Sequence, residues 1–219
     1  QISPIPRQKF QEFATPVGGH QLLKLADGTQ IELNTDTALR IAIDANKRTV
    51  VLERGEAYFD VRHDASRPFT VIAGSHRVID LGTKFVVRDD LKQLRVTLVE
   101  GKARLESARA HNQALLLAPG DVATATATTM SVTRTPASIA PELSWRRGLL
   151  VFDNTSLDAV ADEFNRYNKT KLVIANDTAA RITIGGTFQA NDVRTFAEIA
   201  RTVLHLTVEN RNGKIVISH

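Results

Sequence analysis

Cysteine is absent from all 219 residues. That excludes disulfide frameworks, thiolate metal sites and cysteine nucleophiles at once. It fits an oxidising compartment, although many cytosolic proteins also do without cysteine. Aromatics make up 5% of the chain, with a single Trp. No apolar run is long enough to span a bilayer, and no signal peptide is present. The chain opens on Gln1 rather than an initiator Met, which reads as a processed or truncated piece of a longer protein. Also missing are GxSxG, HExxH, a P-loop and a glycine-rich dinucleotide turn. Gly18-Gly19 and Gly185-Gly186 are isolated pairs, suited to turns or bulges. His20, His63, His76 and His111 are spaced too irregularly for a metal site, so no metal or cofactor is expected. The formal charge is +4, but 24 acidic residues stand against 28 basic ones and no block of like charge occurs, which argues against a direct nucleic-acid partner.

What the chain does have is regularly placed glycine. Gly28, Gly55, Gly74, Gly101 and Gly120 are separated by 27, 19, 27 and 19 residues, a two-glycine unit with a period of 46. The clearest match lays VVLERGEAYFDV, residues 50–61, on VTLVEGKARLES, residues 96–107. Glycine between alternating apolar runs marks a turn or bulge, because it alone takes positive φ without steric cost. A hairpin is expected over residues 22–33 with Asp27-Gly28 at its turn, then strands over 38–43, 49–61, 69–72, 77–87, around Gly101 and over 114–117. Leu52, Ala57, Phe59 and Val61 are expected to face the core. The fold class is therefore mainly β, a repeated β-hairpin domain that closes as a solenoid or a sandwich.

Residues 123–141 are rich in Thr, Ala and Pro and are expected to hold one strand and then a linker. Beyond Leu143 the period lengthens to nearly four. A helix capped by Thr155 or Ser156 carries Leu157, Val160, Ala161, Phe164 and Tyr167 on one face. A second, capped by Asp192, carries Val193, Phe196, Ile199, Ala200 and Val203. A 36-residue shift lays Phe152 on Phe188 and Val160 on Phe196, giving two strand-helix-strand halves on one small sheet, closed by a hairpin turning at Asn212-Gly213. The expected organisation is an extended lead-in and first strand over 1–19, an all-β domain over 20–134, a linker over 135–148 and a duplicated βαβ module over 149–219.

One bond has a chemical argument. In VIDLGTKFVV, alternation places Thr83 on the face of Leu81 and Phe85, with Gly82 before it. A threonine hydroxyl held against the preceding carbonyl can attack it, giving an N-to-O acyl shift and then hydrolysis between Gly82 and Thr83. The structural alternative is a strand threonine bonded within its sheet beside a Gly82 bulge. The chain is otherwise not expected to be an enzyme.

FATPVGG (13–19), LADGTQIELNTDTAL (25–39), LERGEAYFDVRHDASRPFTV (52–71), DLGTKFVVR (80–88) and VTLVEGKARL (96–105) resemble the periplasmic FecR domain. LSWRRGLLVFDNTSLDAVADEFNRYN (143–168) resembles the start of that family's C-terminal module, and the remainder is similar to the secretin and TonB short N-terminal domain. The resemblance implies the periplasmic part of a single-pass inner-membrane regulator of an extracytoplasmic-function sigma factor, often called an anti-sigma factor. Such a part receives a signal from the N-terminal signalling domain of an outer-membrane TonB-dependent transducer serving siderophore or iron uptake. The sigma factor is bound through a cytoplasmic segment this chain lacks, and periplasmic or membrane proteases release it. By similarity, the self-cleaving Gly-Thr bond of some members falls at Gly82-Thr83.

An exposed edge strand of the C-terminal module is the expected partner surface, adding a strand to the partner's sheet. Arg181, Thr183, Thr187, Lys214 and Val216 are the candidates on two strands, and Trp145 with Arg146 are candidate interdomain residues. A carbohydrate-binding or structural β-repeat protein is the alternative reading.

Overall fold

The computed structural model describes residues 10–80, 82–90, 92–108, 114–134 and 139–219. The lead-in before residue 10, Leu81, His111 and residues 135–138 of the expected linker lie outside them. The chain divides into two compact units. One runs to Thr15 and resumes over His20–Ile139; the other joins Pro16–Gly19 to Ala140–His219.

The first unit opens with β1 Gln11–Ala14, β2 Gln21–Lys24, β3 Gln30–Leu33, β4 Ala38–Ile43 and the long β5 Arg48–Asp60. Next come β6 Phe69–Ala73, β7 His76–Asp80, β8 Lys84–Asp89, β9 Leu94–Glu100 and β10 Ala103–Ser107. β11 Ala114–Leu117, β12 Asp121–Ala125 and β13 Met130–Arg134 complete it. β5 is the seam. Its first half pairs with β4 and β6, and from Gly55 onward it pairs with β3 and β8. Gly55 has φ +91°, so the strand passes from one ladder to the next where an L side chain would be strained. One sheet thus runs β11-β10-β7-β6-β5-β4-β1 and the other β2-β3-β5-β8-β9-β12-β13.

The shared strand makes this a nearly closed, barrel-like sheet, not an open coil of stacked turns. Alternation sends Leu52, Val71, Val78 and Leu105 of one sheet, and Ile31, Phe59, Phe85 and Leu98 of the other, into a single core. Phe59 stacks on Phe85 at 5.0 Å and meets the edge of Phe69 at 6.0 Å. Each such ring contributes about 1.5–3 kcal/mol by burial.

The 46-residue period is carried into the hydrogen-bond register. Leu39 pairs with Leu52, and their counterparts Phe85 and Leu98 pair likewise. Both ladders slip at the preceding step, between Ala38 and Leu39 and between Lys84 and Phe85. The Thr15 amide donates to Thr37 O at 2.9 Å, and the Val61 amide to Thr83 O at 3.1 Å.

Two details differ from the sequence expectation, and a third is one that the sequence leaves open. The run 77–87 is split into β7 and β8 at Gly82, whose φ of +102° takes it out of the strand. The Thr-rich stretch forms a hairpin of two strands, β12 and β13, because Thr126 and Thr129 close a turn by backbone and hydroxyl bonds. β5 and β6 are parallel, since residues 61–68 carry the chain back along the sheet before β6 begins.

The second unit begins with the short helix α1 Ala140–Leu143 and a 3-10 turn, Ser144–Arg147. β14 Leu149–Ser156, α2 Leu157–Tyr167, β15 Leu172–Ile174 and α3 Asp177–Ala180 follow. β16 Thr183–Gln189, α4 Val193–Thr202, β17 Thr207–Arg211 and β18 Lys214–Ser218 end the chain. The α2 face is buried as its spacing predicts, and Asp192 caps α4 by accepting the Thr195 amide. Phe152, Phe164, Phe188 and Phe196 pack with centroids 4.7–6.2 Å apart, so the repeated phenylalanines meet in the core. Val203 departs from the expected face: it is the C-cap of α4 and 65% exposed.

The strands form two sheets instead of one. β14 pairs only with β16 among the described residues, while β18 lies between β15 and β17. β18 has no counterpart in the 36-residue repeat, and by joining the second strands of the two halves it draws them into a sheet of their own.

Candidate functional site

β7 delivers Asp80 to the interior, and the chain turns at Gly82 before β8 starts at Lys84. Asp80 is 4% exposed and Thr83 3% exposed. The Asp80 Oδ1 atom accepts the Gly82 amide at 3.0 Å and the Thr83 hydroxyl. Burial pushes the Asp80 carboxyl above its usual value, against the hydrogen bonds from Thr83 and Gly82 and the positive fields of Arg48 and His63. The pair is thus a hydroxyl donating to a buried, more basic carboxylate, beside the amide bond on which that hydroxyl would act.

Two neighbours shape the site. Gly101, with φ +85°, lies so close that a Cβ there would overlap Gly82 O and stand 2.9 Å from Thr83 Cγ2. A Cβ at Gly82 would stand 2.8 Å from His63 Nδ1, so the imidazole lies over that residue. Both glycines are required by contact and by φ. A groove of about 280 Å³, whose lining includes His63, Gly82, Thr83, Lys84 and Glu100, opens beside them.

Alternation finds Thr83 but not Asp80, His63 or the approach of Gly101. The repeat relates the site to an earlier segment: the 46-residue shift lays Asp80 on Asn34, Gly82 on Asp36, Thr83 on Thr37 and Gly101 on Gly55. The first copy has the same backbone plan. Asp36 has φ +44°, and a Cβ at Gly55 would stand 2.6 Å from Thr37 Cα and 2.8 Å from Asp36 O. Its chemistry differs, however. The Thr37 hydroxyl lies 3.1 Å from Thr35 O and 3.0 Å from Glu56 O and accepts the Glu56 amide at 3.0 Å. Asn34 holds the place of Asp80 and gives its amide to Glu56 Oε2 at 2.8 Å.

The partner candidates of the second unit are not brought to one edge. Thr183 and Thr187 are exposed on β16, opposite Ser156 and Val151 of β14. Arg181 is exposed but precedes the strand, as the C-cap of α3. Lys214 and Val216 are on β18, which is flanked on both sides and so cannot be an edge; the parallel ladder to β15 and the antiparallel ladder to β17 engage its backbone. Trp145 is buried and Arg146 half-buried in the 3-10 turn. Among the described residues no group of His, Cys, Asp or Glu is placed to hold a metal ion, and no helix is long and apolar enough to cross a membrane.

Residues 11–104 match the family model described as FecR protein. This stretch is a FecR domain. Asn34, Asp80, Gly82, Thr83 and Gly101 all fall inside it. Two crystal structures, each of a candidate anti-sigma factor from Parabacteroides distasonis ATCC 8503, share the fold of the chain. One is 21% identical with a TM-score of 0.79, over 96% of this chain and 99% of that one. The other is 22% identical with a TM-score of 0.78, over 94% and 98%. The likeness therefore extends beyond the FecR domain through the second unit. No curated protein matches the chain in sequence.

Proposed function

We propose that this chain is the periplasmic signal-receiving region of an inner-membrane sigma-factor regulator. The observation that carries this reading is a FecR domain over residues 11–104 within a chain that shares, over 96% of its length, the fold of a candidate anti-sigma factor. The second unit, similar in its strand-helix-strand halves to the secretin and TonB short N-terminal domain, receives the signalling domain of a TonB-dependent transducer for siderophore or iron uptake. β16 is the docking strand: it has one partner strand among the described residues and exposes Thr183 and Thr187. Backbone hydrogen bonds to an added strand supply affinity there, and side chains supply choice of partner. The sigma factor is engaged elsewhere in the regulator, and proteases complete its release.

The test is a binding titration of the chain, and of a version lacking Ala140–His219, against signalling domains of transducers from the same cell. Saturable binding to one of them that disappears with the deletion supports the reading. No binding to any, or binding that survives the deletion, overturns it.

A second proposal concerns the FecR domain itself. Gly82-Thr83 is a self-cleaving bond, a reading supported by the hydroxyl of Thr83 donating to a buried carboxylate. A sugar-binding function is favoured by nothing in the structure, since the exposed large apolar residues described include no aromatic.

A further inference from the structure

Resting on the self-cleavage reading, we infer that Asp80 is the base that takes the Thr83 proton, and that residues 34–37 are the same backbone device without a base. In the second copy of the repeat the hydroxyl proton points at a carboxylate oxygen that also holds the Gly82 amide. In the first copy the corresponding proton is shared between two main-chain carbonyls. The residue in the place of Asp80 is Asn34, and an amide cannot accept a proton at neutral pH.

The step balances without any further reactant. As Thr83 Oγ bonds to the Gly82 carbonyl carbon, its proton passes to Asp80 Oδ1, leaving a five-membered ring with an oxyanion. The carbon-nitrogen bond then breaks, the nitrogen takes the proton back from Asp80, and an ester remains between Gly82 and the Thr83 side chain. The shift is an isomerisation and consumes nothing. Water then hydrolyses the ester, giving a Gly82 carboxylate and a chain that begins with the free amine of Thr83.

The surroundings suit the step. Asp80 is buried, so water competes little for its oxygens. Burial also favours its protonated form, which makes it a stronger base than an exposed aspartate. Gly101 packs against the scissile carbonyl.

The experiment follows intact mass over time for the wild-type chain, Asp80→Asn and Thr83→Ala, with and without hydroxylamine. The wild type is expected to yield residues 1–82 and 83–219, and hydroxylamine to convert the Gly82 end to a hydroxamate. Asp80→Asn retains a carbonyl acceptor for the Gly82 amide and the Thr83 hydroxyl, and its cleavage rate is expected to fall by about 100-fold or more. Its circular dichroism and melting transition, compared with those of Thr83→Ala, establish that it is folded. Asp80→Ser, which also cannot take the proton, replaces it if the Asn variant does not fold. A folded variant that cleaves at the wild-type rate overturns the assignment of Asp80 alone. A wild type that stays intact, or a Thr83→Ala chain that still breaks at this bond, overturns the self-cleavage reading as well.

Discussion

At Thr37 the hydroxyl proton lies between the carbonyls of Thr35 and Glu56; at Thr83, forty-six residues on, it is given to a carboxylate. Around both threonines the backbone is alike. A positive-φ residue precedes each, and a glycine distant in sequence presses on it, Gly55 within β5 in one copy and Gly101 just after β9 in the other. An earlier main-chain amide reaches its carbonyl, that of Thr15 in one copy and of Val61 in the other. The two copies thus share a scaffold and differ in their side chains, with a closed polar cluster at one and a hydroxyl-carboxylate pair at the other. What separates the two copies is the group the hydroxyl donates to, and on the self-cleavage proposal that difference, not the turn or the buried threonine alone, sets where the chain breaks.

The largest expected effect tests the shared scaffold. Alanine at Gly55 or Gly101 would combine a disfavoured φ with overlap against main-chain atoms. Each should cost about 3 kcal/mol in urea unfolding, measured in the uncleavable Thr83→Ala background. A neutral result at either glycine would mean that the two turns are not held alike.

The threonines themselves should then separate the two copies. Thr37→Ala strips a partner from the buried Glu56 amide and should cost about 1–3 kcal/mol without altering cleavage. Thr83→Ala should cost less, about 1 kcal/mol, because the Gly82 amide still bonds to Asp80, yet it should abolish cleavage. Equal stability losses, or an effect of Thr37→Ala on cleavage, would blur the distinction.

The smallest effect is one of pH. Asp80 has a raised folded-state pKa, so its contribution to stability is full below the ordinary value of 3.8 and is lost as pH rises through the raised one. The Asp80→Asn variant has no such proton to lose. In the Thr83→Ala background, the stability of the chain that keeps Asp80, relative to the one that also carries Asp80→Asn, should therefore decline as pH rises from about 4 towards neutrality. A relative stability that rises over that window would contradict the buried, neutral-favouring environment of Asp80. Asp27 shows the opposite case: despite burial, the Thr29 amide and the guanidinium of Arg48 hold its carboxyl below the usual value.

Much of the first unit is legible in its glycines, because a hairpin turn such as Asp27-Gly28 declares itself locally and alternation assigns faces to Leu52 and Phe59. The path of β5 through Gly55 is not, since a positive-φ glycine looks the same in a sequence whether the strand reverses or continues into a second ladder. Phe164 and Phe196 are readable as core from helical spacing, whereas the separation of β14-β16 from β15-β18-β17 depends on where the repeat-free β18 inserts. At the candidate site Thr83 is visible from the Gly-Thr pair. Asp80 is not, because DLGT carries no sign that the aspartate turns inward and meets a hydroxyl three residues ahead.

The most direct test of the account is an intact-mass spectrum of the wild-type chain after incubation at neutral pH, read at both threonines. The account predicts a break between Gly82 and Thr83 and none between Asp36 and Thr37. An unbroken chain, or a break at both places, would contradict it.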